Sequence, residues 1–207
     1  MSGSLTLGFY GKLPARGDFV RAGLPRDFTD RWDDWLQSVI AGSRALMGDD
    51  WLPAFLEAPV WRFALPPGMC GERAALGLML PSVDKAGRYF PLTFAALRDG
   101  AFAAQGSDAW LDICEAVGRD ALEQDTPPQA IAERLGAPDF AGAANNADGV
   151  WWSDGSPRVK AGRMVLHRMP DAATYSAMLG AGPLGTDATS DDSGEEASGE
   201  TTWKSTS

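Results

Sequence analysis

The polar residues with the clearest potential for chemistry lie in one short segment between two apolar runs. This segment contains Ser82, Asp84, Lys85 and Arg88, and Tyr89 follows it. A serine beside a lysine acts as a hydrolase nucleophile only if the lysine is buried and its pKa is lowered. A lysine in a polar turn between Asp84 and Arg88 gives no reason to expect this. We therefore expect Asp84 and Arg88 to pair across the turn and hold it rigid as a recognition surface.

A second polar loop follows the first apolar run of the chain and carries Lys12, Arg16 and Asp18. A phosphate-binding loop has the pattern GxxxxGK, in which one glycine lies six residues before the lysine and another directly before it, and a serine or threonine follows the lysine. Because Leu13 follows Lys12, that motif is absent. The two polar loops could still meet at the end of a sheet and form a ligand crevice.

Other residue types that often carry catalysis or metal binding give no such pattern here. His167 is the only histidine, and we expect it on a strand with a neighbouring backbone group as its partner. No cluster of His, Cys, Asp and Glu has the spacing of a transition-metal site, so we expect neither a metal nor a cofactor. Three aspartates are expected on the solvent face of a helix: Asp30, Asp33 and Asp34.

The charge of the chain argues against nucleic acid as a partner. It has 28 acidic and 18 basic residues and a net charge of −10, whereas nucleic-acid binding relies on lysine and arginine. The same balance argues against docking on anionic lipid. Half of the excess lies in residues 183–207, which hold six acids against Lys204. That segment is rich in Gly, Ser and Thr, so we predict an ordered domain over 1–182 and a disordered tail or linker over 183–207.

The sequence favours a cytoplasmic location. No signal peptide is evident at the N-terminus, and no apolar stretch is long enough to span a membrane. Cys70 and Cys114 form no CxxC motif, and two free buried thiols are typical of a reducing compartment.

The order of apolar patterns predicts an α/β fold with a central sheet and helices outside it. Helical spacing is clearest from Asp27 to Met47. The runs at Leu76–Leu80 and Pro91–Leu97 hardly alternate, which indicates strands covered on both faces. Ser107 and the Thr126–Gln129 segment resemble helix N-caps, and so does Asp171.

Four separated motifs resemble those of the TagF family of type VI secretion-associated proteins. The resemblance extends over about residues 5–180. The motifs are Gly8–Pro14 with Gly17–Val20, Pro59–Phe63, Pro81–Asp84 with Gly87–Leu92, and Trp151–Gly155.

This resemblance implies a three-layer α/β/α sandwich with a central mixed sheet and helices on both faces. It also implies a non-enzymatic bacterial regulator that represses type VI secretion after translation. The implied partner is the forkhead-associated scaffold protein Fha. Some relatives are fused to a PppA-type phosphatase, and Trp203, after the linker-like stretch, would suit the beginning of such a second domain.

The residues leave two functions open. In the first, the polar loops contact a protein partner. In the second, the Lys12/Arg16/Asp18 and Asp84/Arg88 loops sense a small molecule or a nucleotide. For either function the candidate binding residues are Lys12, Arg16, Asp18, Ser82, Asp84, Arg88 and Tyr89.

Overall fold

The computed structural model describes residues 5–104, 106–136 and 147–182. The strands are β1 (Thr6–Gly11), β2 (Val20–Ala22), β3 (Trp61–Leu65), β4 (Ala74–Leu80), β5 (Leu92–Arg98), β6 (Gly149–Ser153) and β7 (Gly162–Leu166). The α-helices are α1 (Arg26–Met47), α2 (Trp51–Leu56), α3 (Asp108–Glu123), α4 (Pro128–Arg134) and α5 (Ala172–Met178). The tail predicted at 183–207 lies outside the described residues.

The seven strands form one sheet in the order β2-β1-β5-β4-β3-β6-β7. Every pairing within it is antiparallel, so the α/β fold class is confirmed while the expectation of a mixed sheet was wrong. The error has a physical source. Strands in which apolar and polar residues do not alternate indicate that both faces of the sheet are covered. They do not indicate whether neighbouring strands run parallel or antiparallel. Here β4 returns as β5 through the short segment 81–91, and such a connection joins antiparallel neighbours.

Helices cover both faces of the sheet and make three layers. All seven residues of β4 are buried, as its continuous apolar run predicts. Alternate β4 residues enter different cores: Met79 packs with α1, α2 and α5, whereas Leu78 packs with α3 and α4. The sheet therefore separates two apolar clusters, and its ends and connecting loops carry the polar residues of interest.

The helix boundaries agree with some of the sequence signals and not with others. The Asp171 carboxylate accepts a hydrogen bond from the Thr174 amide, so the predicted cap of α5 is confirmed. Ser107 occupies the N-cap position of α3, as predicted, but its hydroxyl donates to the Ala104 carbonyl and does not bond to the helix. The cap predicted at Thr126 was wrong, because Pro127 occupies the cap position of α4. A polar cap residue can satisfy its hydroxyl with a nearby carbonyl, and sequence alone does not decide between the two partners.

The described part of the chain contains no helix that is both long and apolar enough to cross a membrane. Cys70 and Cys114 are buried free thiols on opposite sides of the sheet. Burial raises the pKa of the Cys70 thiol to about 12, an effect that the charge of Arg31 only partly opposes.

Candidate functional site

Asp84 is the centre of the polar site, because its carboxylate joins the two loops. Lys12 Nζ lies 2.8 Å from Asp84 Oδ2, and Arg88 Nε lies 2.7 Å from the same oxygen. The predicted pairing of Asp84 with Arg88 is thus confirmed, and Lys12 joins it from 72 residues away. The side chain of Asp84 is fully buried, so its charge depends on these partners.

The segment after β4 is a tight turn built around the Asp84 side chain. Asp84 Oδ1 accepts hydrogen bonds from the backbone amides of Ala86 and Arg88, at 2.8 and 2.9 Å. The Gly87 amide closes the turn on the Asp84 carbonyl, and Gly87 adopts a φ of 78° that favours glycine. Aspartate commonly bonds backbone groups a few residues ahead in this way, so residues 84–88 form a preorganised unit.

The other loop is placed by β1, which pairs with β5 and ends at Gly11. A Cβ atom on Gly11 would lie 2.3 Å from the Pro91 carbonyl oxygen, so only glycine permits this close approach. Lys12 follows directly and is therefore carried to Asp84. Ser82 Oγ donates a 2.6 Å hydrogen bond to the Lys12 carbonyl and fixes the loop from the other side.

Two further contacts lock the loops together through the backbone. The Lys85 amide donates to the Arg16 carbonyl, and Arg88 Nη2 donates to the Gly17 carbonyl at 2.6 Å. The loops predicted to meet at the end of the sheet do meet. They are joined by hydrogen bonds and by the buried ion pair of Lys12 and Asp84.

The electrostatics of Asp84 follow from this arrangement. The hydrogen bond from Lys12 is the largest influence and lowers the pKa of Asp84 well below its ordinary range. Burial acts in the opposite direction, and the bonds from Arg88 and Ala86 add to the lowering. A carboxylate held ionised in this way is a poor proton acceptor at neutral pH, which suits a bracing role better than general-base chemistry.

The seven candidate residues fall into a buried and an accessible set. Three of them are buried, and the side chain of each makes a contact within the protein: Lys12, Ser82 and Asp84. Asp18 and Arg88 are exposed, whereas Arg16 and Tyr89 are partly buried. Arg16 forms a 2.7 Å ion pair with Asp125, before α4.

The structure also tests the other residues that sequence singled out. The side chain of Lys85 is exposed, and Ser82 bonds to a carbonyl rather than to a lysine amine. His167 was expected on a strand, but it lies just after the end of β7, and its Nδ1 lies 2.6 Å from the carboxylate of Asp148. Asp30 and Asp34 are exposed as predicted, while Asp33 accepts a hydrogen bond from the Tyr10 hydroxyl.

Phe19 is a member of this site that chemical reasoning missed. Lys12 Nζ lies 4.2 Å from the centre of its ring, and the ring stacks on Tyr10 at 5.1 Å. Phe19 is nevertheless 40% exposed, so it also presents an apolar edge at the surface of the loop that carries Asp18. Its only sequence signal was its place in the Gly17–Val20 motif, because an isolated aromatic in a polar loop has no pattern of its own.

Comparison with protein families accounts for this architecture. The family model for the TagF N-terminal domain, described as type VI secretion system-associated, matches residues 8–137. The chain belongs to the TagF family. The matched region contains both loops of the site, including Lys12, Asp84 and Arg88. Membership of this family connects the protein with type VI secretion.

The TagF assignment agrees with a solved structure. The crystal structure of PA0076 from Pseudomonas aeruginosa PAO1 is similar to this chain with a TM-score of 0.71 and 34% sequence identity. The match covers 84% of this chain and 93% of that one, so the likeness extends beyond the 8–137 region. Comparison with curated proteins found no match.

Proposed function

We propose that this TagF protein is a non-enzymatic regulator that represses a type VI secretion system by binding the forkhead-associated scaffold protein Fha. The proposal takes its biological context from family membership. Its structural support is the way the two loops are locked to each other by the carboxylate of Asp84.

A site of this kind suits recognition. The buried groups are committed internally: Lys12 neutralises Asp84, and Ser82 bonds the Lys12 carbonyl. The Lys12 ammonium group is therefore occupied by a contact that holds the two loops together. Asp18 and the Arg88 guanidinium remain exposed on the surface of these linked loops. Because the loops are already held in place, their ordering on binding costs little conformational entropy.

We place the contact with Fha on the accessible residues of the two loops. Phe19 offers an apolar anchor, and Arg16, Asp18 and Arg88 of the same two loops supply charges of both signs. An interface with an aromatic anchor and a charged rim is a common arrangement in protein recognition. In this proposal the buried Lys12 and Asp84 position the surface and do not touch the partner.

The same geometry weighs against the nucleotide-sensing alternative. An anionic ligand between the loops would compete with Asp84 for both Lys12 and Arg88. The alternative predicts a saturable rise in melting temperature with nucleotides, and a flat panel would count against it.

The test is capture of Fha together with a secretion assay. Tagged full-length protein should co-purify Fha from cells that express the secretion system, and its overexpression should reduce secretion. The substitution Asp18→Lys, at an exposed position, should strongly weaken capture and restore secretion while leaving the melting temperature nearly unchanged. Asp34→Lys and Arg163→Glu, at exposed positions on α1 and β7, are the matched controls.

Two results would overturn the proposal in different ways. If the unmodified protein neither captures Fha nor changes secretion, the function is wrong. If it does both, and the loop variant behaves like the two controls, Fha binds elsewhere and the placement on these loops is wrong.

A further inference from the structure

A second surface lies beside the polar site, on the other side of the turn that Asp84 holds. It is an open groove of about 600 Å³ between α1, the beginning of α2 and the turn at residues 87–90. We name it the α1 groove. Its lining includes Arg44, Trp51, Leu52, Arg88 and Tyr89.

The apolar part of the groove is a packed aromatic platform. Trp51 stacks on Phe55 at 4.9 Å, and Tyr89 meets Trp51 edge-on at 6.2 Å. The Trp51 indole donates a 2.8 Å hydrogen bond to Ser43 of α1, which fixes its orientation. Leu52 is 37% exposed at the edge of this platform, so an apolar side chain entering the groove would find preformed apolar partners.

The charge of the groove is opposite to that of the chain. Among the described residues that line it are two arginines and no aspartate or glutamate, although acids outnumber bases 28 to 18 over the whole chain. Asp33 contacts the lining residue Gln37, and it also accepts a hydrogen bond from Tyr10. A groove that is lined by arginines and by no acidic residue, on a chain with a net charge of −10, is complementary to a negatively charged partner.

Arg44 is the cation best placed to receive that partner. Its guanidinium lies 4.1 Å over the ring of Trp51, a stacked position that leaves the N–H edges accessible. Within the described ranges, its side chain has no hydrogen bond or ion pair to a carboxylate. Arg88, by contrast, is already partly neutralised by Asp84, so it adds less attraction.

We propose that the α1 groove binds an acidic amphipathic peptide segment of another protein. An apolar side chain of the segment packs on Leu52 and Tyr89, above the buried Trp51, and a flanking carboxylate pairs with Arg44. The openness of the groove favours a peptide over a small molecule, because sites for small molecules bury most of the ligand surface. Helices with one apolar face commonly dock in grooves of this kind.

This inference does not depend on Fha, since any protein carrying such a segment would fit. The experiment is therefore unbiased: a peptide-display library is panned on the full chain, and the selected peptides are resynthesised for fluorescence anisotropy. We expect Asp or Glu flanking a bulky apolar residue, and affinity that falls as the salt concentration rises. Selection of basic peptides, of phosphate-dependent peptides or of no common pattern would overturn the proposal.

Two variants and their controls locate the binding. Arg44→Glu should weaken binding of the selected peptides roughly tenfold or more, since hydrogen bonds to charged groups contribute strongly. Leu52→Ser should weaken it as well. The controls are Arg26→Glu and Leu46→Ser. Both residues are exposed on α1 but do not line the groove, so these substitutions should leave affinity unchanged.

The fold of all four variants is to be checked by circular dichroism and by their melting temperatures. All the substituted side chains are at least one-third exposed, so loss of fold is not expected. If the control substitutions reduce affinity as much as the groove substitutions do, the peptides bind elsewhere and the proposal is wrong.

Discussion

Lys12 and Asp84 form a buried ion pair across 72 residues of sequence, with Lys12 Nζ 2.8 Å from Asp84 Oδ2. The pair joins the loop that follows β1 to the turn between β4 and β5. Arg88 shares the same carboxylate oxygen from the solvent side. The arrangement of the two loops therefore depends on a contact that is buried beneath their surface.

The first prediction concerns the stability that Lys12 provides. Lys12→Met keeps much of the apolar stem but removes the charge, and should lower the free energy of unfolding by about 1–3 kcal/mol. The cost is limited because Arg88 and two amides still bind Asp84. Urea denaturation measures it. Lys85→Met, in the exposed part of the same turn, should change stability by less than about 0.5 kcal/mol, and equal effects would contradict the prediction.

The second prediction is a pH dependence that belongs to Asp84. The bond from Lys12 lowers its pKa below the ordinary value of 3.8, so the folded state binds a proton less readily than the unfolded state. The resulting stability is complete above that ordinary value and is lost as the pH falls toward the lower pKa of the folded state.

Asp84→Asn removes this contribution and should be less stable than the parent protein at pH 6. The difference should shrink steadily below about pH 4, where the carboxyl group of residue 84 begins to bind a proton in the unfolded parent chain but not yet in the folded protein. Urea denaturation of both proteins across this range makes the measurement. A difference that stays constant with pH would mean that the charge of Asp84 contributes nothing to stability.

The third prediction links a strand glycine to the site. Gly11→Ala places a methyl group against the Pro91 carbonyl oxygen and should displace the end of β1, with a cost of about 1–3 kcal/mol. Lys12 would move with it, so binding by the polar loops should weaken too. Gly17→Ala is the control, because nothing lies within 4 Å of the added methyl group there. Equal melting temperatures for the two variants would contradict the crowding argument.

Local relationships at this site could be predicted from the sequence, and distant ones could not. Asp84 and Arg88 are four residues apart in a polar turn, so their pairing follows from their spacing. The partnership of Lys12 with Asp84 depends on β1 lying beside β5, and no periodicity encodes that neighbour. The sequence therefore placed both loops at a sheet end but did not identify the contact that joins them.

The α1 groove lay outside the prediction for a similar reason. The spacing of the aromatic residues in α1 and α2 is typical of core residues, and Trp51 is indeed 97% buried in the folded protein. Only the fold brings Arg44 over Trp51 and Tyr89 against the same indole ring. The long α1 could be predicted because its apolar spacing repeats over many turns, whereas the three-residue strand β2 is too short to show a pattern.

The fourth prediction concerns a buried hydrogen bond that ties α1 to the centre of the sheet. Trp32 Nε1 donates to Thr93 Oγ1 at 2.9 Å, and both residues are completely buried. Thr93→Val has nearly the same shape but leaves the indole N–H without an acceptor. The free energy of unfolding should fall by about 1–3 kcal/mol, the usual cost of an unsatisfied buried donor.

A double-mutant cycle separates this cost from that of repacking. In a Trp32→Phe background the indole donor is already gone, so Thr93→Val should cost clearly less than it does in the parent protein. Urea denaturation of the four proteins gives the coupling energy. If Thr93→Val costs the same in both backgrounds, the hydrogen bond does not stabilise the fold, and α1 is held on the sheet by apolar packing around Trp32 alone.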